Sequence, residues 1–452
     1  MRWVLFLSLG LGIGLAMASP SRLLAQSGTV PGAPQAVLGA PKIIQTQVRE
    51  ENPVPGGEGA IPPPGDTPVP SPETPPALGP TPIMKVGILQ NWLYGNTEKP
   101  WMNVAGWADF DYTYRSTGSG VTTVAPVMNR FGNEGTVREL GLILSKPLDQ
   151  KTWSWGFNVI GFAGSDAQFL QPTQGWPNQA NQRFGFSFTD LNLTFHMPIL
   201  TEGGVDVKVG RQTTVTGWAG ALSWSRPFTS SDYAWYNMEE GRYTGISSTW
   251  HVTKQLDWYN GIEFGWGTFF SMKGNSPEYI TKVSYWLDEE AKEKQIWGTI
   301  NTGATTDNSS ANTTAFELGG QRIWNRYFWS VLDFQAIYSR GPVFGGPPPP
   351  GYIERAYDIL TYNGVHLNKC WDFNTRLEYY YDADGRGYAG GFGIPKTSYY
   401  ETTLGFNYHP TKWMELRPEI RYDGATNPAF GSDATNLHRN QLTIAADLMI
   451  KF

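Results

Sequence analysis

A side-chain alternation of period two recurs along the chain and restricts the folds that it can adopt. In MELRPEIRYDG, residues 414–424, charged side chains take every second position and mostly apolar side chains take the positions between them. This pattern is typical of a β-strand whose two faces meet different surroundings. The same alternation is present in VAGWADFDYTY, VDVKVG, CWDFNTRLEYYYD and LTIAADLMIKF. The repetition predicts an all-β fold.

The connections between these strands fall into two length classes that alternate along the chain. Short polar turns are predicted near residues 146–152, 198–204, 253–256, 288–294, 325–326, 368–370 and 409–413. Long loops rich in Gly, Ser, Asn and Pro are predicted near residues 115–135, 162–184, 212–242, 271–277, 303–313, 339–356, 382–398 and 423–440. About sixteen strands connected in this way predict a transmembrane antiparallel β-barrel, with short periplasmic turns and long external loops.

Composition divides the chain into three segments. Residues 1–21 have one positive charge, at Arg2, followed by an apolar run and small residues, which predicts a cleaved secretory signal peptide over residues 1–25. Residues 26–82 are rich in Pro and Gly and nearly free of aromatic residues, which predicts a disordered periplasmic segment. This segment is either a plain spacer or a tether that contacts the cell wall. Residues 83–452 would form the barrel in the outer membrane.

Several other classes of protein conflict with the composition. The net charge is −6 and the basic residues are scattered, so we expect no nucleic-acid partner. Cys370 is the only cysteine and the five histidines have no metal-binding spacing, so we predict neither a metal site nor a cofactor. No stretch after residue 82 has 18 consecutive apolar residues, which excludes a helical membrane protein.

The alternation assigns side chains to the two faces of the barrel wall. Leu416, Pro418, Ile420 and Tyr422 are expected to face lipid, because a charge turned to lipid at mid-membrane costs about 2–4 kcal/mol. The residues predicted to line a water-filled pore are Asp372, Arg376, Glu378, Glu415, Arg417, Glu419 and Arg421.

Three further local features are expected from the strand sequences. The parity of the aromatic residues changes near residues 189–190, which predicts a β-bulge there, and Pro418 suggests a second one. Tryptophans next to the short turns are interpreted as an aromatic belt at the membrane interface: Trp153, Trp155, Trp250, Trp258, Trp371 and Trp413. The alternative is that they are ordinary packing residues of a soluble sheet.

The last third of the chain resembles the β-barrel porin-2 family, also called OmpL-like. The sequence NTRLEYYYDADGRG carries an R-x-E-x-x-x-D-x-x-G pattern at Arg376, Glu378, Asp382 and Gly385. The following ELRPEIRYDG carries the pattern R-P-E-x-R-x-D from residue 417 to residue 423, and the closing strand ends in an aromatic residue. The resemblance implies a porin-like outer-membrane barrel, and similar porins form homotrimers. It supplies no substrate residues.

Residues 212–242 form the third long loop after the first predicted strand. In similar sixteen-stranded porins this loop folds into the lumen and narrows it. This segment is rich in Trp and Tyr and too apolar to be left in water. Asp232, Glu239 and Glu240 are the candidate constriction residues, facing arginines of the opposite wall. The alternative is an outward loop whose aromatic residues contact a neighbouring subunit.

Three functions are compatible with the pattern. We favour an outer-membrane porin for passive diffusion of small polar solutes and ions, because barrels of 16 to 18 strands enclose an aqueous channel. A secreted or surface β-rich carbohydrate-binding protein or adhesin is the first alternative. An outer-membrane barrel hydrolase is the second; the sequence has no GxSxG motif, so we predict that the protein is not an enzyme.

Overall fold

The structure is a computed structural model that describes residues 88–95, 100–121, 129–170, 183–213, 215–239, 241–265, 268–270, 277–304, 312–340, 353–385, 394–432 and 435–452. The predicted signal peptide and the Pro/Gly-rich segment lie outside these residues. Among the helices in the described ranges, none is long and apolar enough to cross a membrane.

Sixteen strands of the described chain form one closed antiparallel barrel, as predicted. They are β1 (Asn103–Arg115), β4 (Glu134–Lys146), β5 (Ser154–Gly164), β6 (Gly185–Met197), β7 (Val205–Thr213), β8 (Arg242–His251), β9 (Leu256–Glu263), β10 (Glu278–Trp286), β11 (Lys294–Ala304), β12 (Asn312–Asn325), β13 (Phe328–Arg340), β14 (Ile353–Asn368), β15 (Trp371–Asp382), β16 (Thr397–Thr411), β17 (Met414–Ala425) and β18 (Asn440–Lys451). Two two-residue strands, β2 (Gly120–Val121) and β3 (Phe131–Gly132), pair within the first long loop. Helices α1 (Ile88–Tyr94) and α2 (Tyr233–Asn237) are short.

The first and last strands close the barrel. β1 pairs with β18 from Trp107 opposite Lys451 onwards. Phe452 then exchanges two backbone hydrogen bonds with Gly106, at 2.6 and 2.8 Å. A Cβ atom added to Gly106 would lie 2.4 Å from the Phe452 ring, so the ring covers the glycine directly. The terminal aromatic residue is therefore part of the closure.

The two faces of the wall follow the predicted alternation. In β17, Glu415, Arg417, Glu419, Arg421 and Asp423 are buried inside the barrel, while the residues between them are exposed or partly exposed on its outer surface. The pairing register of β16 with β17 is the same on both sides of Pro418, so the bulge suggested there is wrong. Pro418 therefore leaves one ladder donor missing inside a closed barrel without shifting the register.

Two β-bulges reset the alternation in β4 and β6. Opposite β5, the pairing skips Thr189, so Thr189 and Asp190 are both buried, which confirms the predicted bulge. A second bulge lies in β4, where the pairing with β1 skips Arg138. It turns both Arg138 and Glu139 into the interior.

Aromatic side chains are exposed near both ends of the barrel wall. Beside the short turns, Trp153, Trp155, Trp258 and Trp371 are exposed on the outer surface. Near the long loops the exposed aromatic residues are mostly tyrosines: Tyr112, Tyr114, Tyr279, Tyr338, Tyr357, Tyr379, Tyr400 and Tyr422. Their amphipathic rings fit the two membrane–water interfaces.

Candidate functional site

Residues 215–239, which we call the inner loop, lie inside the barrel between β7 and β8. The Trp218 ring is 5.4 Å from the Trp329 ring and 4.8 Å from the Tyr362 ring, both on the inner face of the wall. Trp218 also donates from Nε1 to Gln321 Oε1 at 3.2 Å. The loop that begins at the end of β7 therefore reaches strands β12, β13 and β14 across the interior.

Arginines of the wall bind the backbone of the inner loop. Their guanidinium groups donate to loop carbonyl oxygens: Arg376 to Ser230 (3.0 Å), Arg417 to Ser223 (2.6 Å) and Arg226 (2.7 Å), and Arg421 to Ser231 (2.5 Å). A loop buried in a barrel leaves polar backbone groups that need partners, because an unpaired carbonyl is costly away from water. These three arginines supply donors for four of its carbonyl oxygens.

Glutamates of the wall bind the amide groups of the same loop. They accept from loop N–H groups: Glu139 from Ser223 (3.0 Å), Glu419 from Ser230 (3.2 Å), and Glu378 from Tyr233 (2.7 Å) and Ala234 (2.9 Å). Charge-assisted hydrogen bonds of this kind are roughly twice as strong as neutral ones. Charged residues of both signs are therefore needed on the wall, because the loop presents both donors and acceptors.

A network of ion pairs fixes the middle of the inner loop. Arg138 binds Asp166 at 2.9 Å and Asp447 at 3.2 Å, and Arg417 Nε donates to Asp447 at 2.9 Å. Arg226 of the loop joins the network through Asp166 at 3.4 Å. Burial lowers the pKa of Arg226 to about 10, so it stays charged at neutral pH. The network connects three strands, β4, β17 and β18, with two loops.

The structure separates the predicted pore-lining residues into two groups. Arg376, Glu378, Arg417, Glu419 and Arg421 come together against the inner loop. The other two lie near the short turns. There Asp372 Oδ1 is 2.6 Å from His366 Nδ1, and Glu415 Oε2 is 2.9 Å from Lys451 Nζ.

The candidate constriction residues have hydrogen-bond partners inside the barrel. Asp232 caps α2 by accepting from the Trp235 N–H at 2.6 Å, and it accepts from the Tyr362 hydroxyl at 2.5 Å. Glu239 accepts from Gln335 Nε2 at 2.8 Å. Glu240 lies outside the described residues. Asp232 and Glu239 thus join the loop to β14 and β13.

Sequence reasoning missed part of this site. Arg138, Asp109 and Asp447 belong to the central network, and Trp107 donates from Nε1 to Glu139 at 2.6 Å. Asp109 and Asp447 alternate with apolar neighbours in their strands, so the alternation did predict that both face the interior. Arg138 was hidden by the bulge, which breaks the alternation at that position.

The site is a cluster of charged and hydrogen-bonding protein groups that joins the inner loop to the barrel wall. In the described part of the chain no group of three or more His, Cys, Asp or Glu side chains is arranged to hold a metal ion.

Comparison with known structures finds the same fold. An anion-selective porin from Comamonas acidovorans is 11% identical, with 78% of this chain and 99% of that chain covered and a TM-score of 0.53. OmpF of Salmonella typhi, in complex with daunomycin, is 9% identical, with 78% and 97% covered and a TM-score of 0.52. OprB of Pseudomonas putida is 11% identical, with 80% and 97% covered and a TM-score of 0.51. At this identity the likeness shows the fold alone.

Comparison by sequence identifies the family. A search of curated proteins found no match. Residues 102–452 match the family described as "Putative beta-barrel porin-2, OmpL-like", which covers the barrel from the start of β1 to the terminal residue. The chain therefore belongs to this family of outer-membrane β-barrel porins.

Proposed function

We propose that the protein is a passive diffusion channel whose inner loop sets the narrowest part. The observation that carries this proposal is the position of the loop inside the barrel, where it is bound by charged residues of the wall. A sixteen-stranded barrel encloses an aqueous channel unless something occupies it. Arg376, Glu378, Arg417, Glu419 and Arg421 would hold the loop in place, with Asp232 and Glu239 on the loop itself. Asp372 and Glu415 would line the periplasmic part of the channel.

We further propose that the channel prefers cations. Among the described residues, nineteen Asp and Glu side chains are buried, against nine Lys and Arg side chains. Each of the three wall arginines at the loop donates to a carboxylate, so each such pair contributes little net charge and the unpaired excess of carboxylates sets the potential. An excess of carboxylates gives a narrow, water-filled lumen a negative potential that attracts cations and repels anions.

Three other properties complete the proposal. The protein would catalyse no reaction and need no cofactor, because transport by diffusion uses only the fixed walls of the channel. A homotrimer is proposed from the resemblance to other porins, and native mass spectrometry of the detergent-solubilised protein measures it. The Pro/Gly-rich segment of residues 26–82 would lie in the periplasm.

The test is single-channel recording in a planar bilayer with a potassium chloride gradient. We expect the reversal potential to have the sign of a potassium-selective channel. Removing residues 217–232 should raise the conductance by about twofold or more, because the barrel wall alone leaves a wide channel. The same deletion should weaken the selectivity.

A matched pair of variants tests the preference for potassium. Asp372→Asn removes one inward-facing carboxylate, which lies 2.6 Å from His366, and should lower the preference for potassium. Glu290→Gln removes one exposed carboxylate from a short turn and should leave it unchanged. An anion-selective reversal potential would refute the cation preference. An unchanged conductance after the loop deletion would refute the constriction.

A further inference from the structure

At the seam between β1 and β18, no described strand pairs with the part of the β1 edge that precedes Gly106. Gly106 pairs with Phe452, the last residue of the chain. The Val104 N–H and the Met102 carbonyl lie beyond that pair. The side-chain amide of Gln90 binds both of them, since its Oε1 accepts from Val104 N at 2.6 Å and its Nε2 donates to Met102 O at 3.0 Å. One side chain of α1 thus takes the place of a peptide group.

Helix α1 presents apolar side chains to its surroundings. Its residues are ILQNWLY, and Gly95 ends it in a left-handed conformation (φ 61°). Trp92 is 80% exposed, Leu93 48% and Ile88 46%. At 3.6 residues per turn Ile88, Trp92 and Leu93 lie within an arc of about 140°, and Gln90 and Asn91 lie outside this arc. None of the residues of α1 is buried.

Helix α1 lies at the short-turn end of β1, where Gln90 binds Met102 and Val104. Trp107 points inward to Glu139, so Val104, three residues earlier, belongs to the outer face; it is nevertheless only 5% exposed. Between α1 and β1, the Trp101 ring lies 5.9 Å from Phe157, which is on the outer face of β5. Exposed Trp153 and Trp155 are on the same strand end. The end of β1 that Gln90 binds therefore lies beside aromatic residues of the inner belt.

We propose that α1 is an interfacial helix that inserts its apolar side among the phospholipids of the inner leaflet, while Gln90 fixes it to the barrel seam. Phospholipid is the partner that fits, because the surface adjoining α1 is the belt that already contacts the lipid interface. A helix with Trp and Leu on one side and polar residues on the other binds such an interface through its buried apolar area. Trp in particular favours the headgroup region.

The proposal is tested with a fluorophore placed on either side of the helix. Trp92→Cys and Asn91→Cys are made in a Cys370→Ser protein, labelled with an environment-sensitive dye and reconstituted into nanodiscs that hold one barrel. We expect blue-shifted emission at position 92, quenched by nitroxide lipids labelled near the headgroup. Position 91 serves as the matched control, because Asn91 is exposed but polar, and it should show emission typical of water.

Two results would overturn the proposal. One is water-like emission at position 92 in a barrel whose heat-modifiable migration shows that it is folded. The other is a blue shift that appears only when several barrels share a vesicle, since the partner would then be a second copy of the chain.

The seam contact is tested independently by hydrogen exchange. Gln90→Ala removes the acceptor of the Val104 N–H, so this amide should exchange at least about tenfold faster. Asn91→Ala, on the neighbouring residue, should leave the exchange rate unchanged. Equal rates in the two variants would contradict the role of Gln90.

Discussion

Gly106 is the residue at which barrel closure depends most directly on the absence of a side chain. A Cβ atom there would lie 2.4 Å from the Phe452 ring, and the ring cannot move away without loosening the pair of backbone hydrogen bonds beside it. We predict that Gly106→Ala lowers the free energy of unfolding by about 1–3 kcal/mol, the usual effect of overpacking. Urea unfolding in lipid vesicles measures it.

Gly298→Ala is the matched control for this prediction. Gly298 also lies within a strand, but the nearest atom to an added Cβ would be 3.7 Å away. The change should stay within about 0.5 kcal/mol, as for most surface substitutions. Similar losses at both glycines would mean that strand propensity, and not the contact with Phe452, controls closure.

The inner loop packs against β17 and covers side chains that were predicted to line the pore. Arg417 and Glu419 face inward as their parity requires, but the inner loop covers them, and they are only 1% and 4% exposed. We therefore predict that cysteines at positions 417 and 419, in a Cys370→Ser protein, stay unreactive toward a water-soluble thiol reagent. In a protein that lacks residues 217–232 they should react. Mass spectrometry of the modified protein measures the extent.

The outward positions of β17 provide the control for this experiment. Cysteines at 416 and 420 should stay unreactive in lipid vesicles whether or not the loop is present, because Leu416 and Ile420 are on the outer surface. Equal labelling at all four positions without the loop would contradict the barrel orientation. Strong labelling at 417 with the loop intact would show that the loop leaves the wall.

For the whole molecule, the residues that close the barrel all follow the Pro/Gly-rich segment, since β1 pairs with β18 and Gly106 pairs with Phe452. The family match begins at residue 102, and β1 begins at Asn103. We predict that removing residues 28–82 leaves both the heat-modifiable migration of the folded barrel and its single-channel conductance unchanged. The deletion keeps α1 and Gln90, which hold the seam. A deletion protein that stays unfolded in detergent would show that the Pro/Gly-rich segment takes part in the structure.

The sequence by itself determined the barrel, because the alternation of side chains and the lengths of the connections are local properties. A strand with one face in lipid and the other in the lumen must alternate, and a slip of one residue would turn its charges to lipid. The sixteen strands, the faces of β17 and the bulge at Thr189 follow from this rule.

Only the tertiary structure decided what the inward charges do. Arg417 binds Ser223, 194 positions earlier in the chain, and Glu378 binds Tyr233, 145 positions earlier. No local pattern encodes such partners, since they depend on the path of the inner loop through the closed barrel. The contact of Gln90 with the seam was hidden because one side-chain amide leaves no periodic signal in the sequence. The bulge in β4 was missed because a single apolar residue, Val137, shows the change of parity before it.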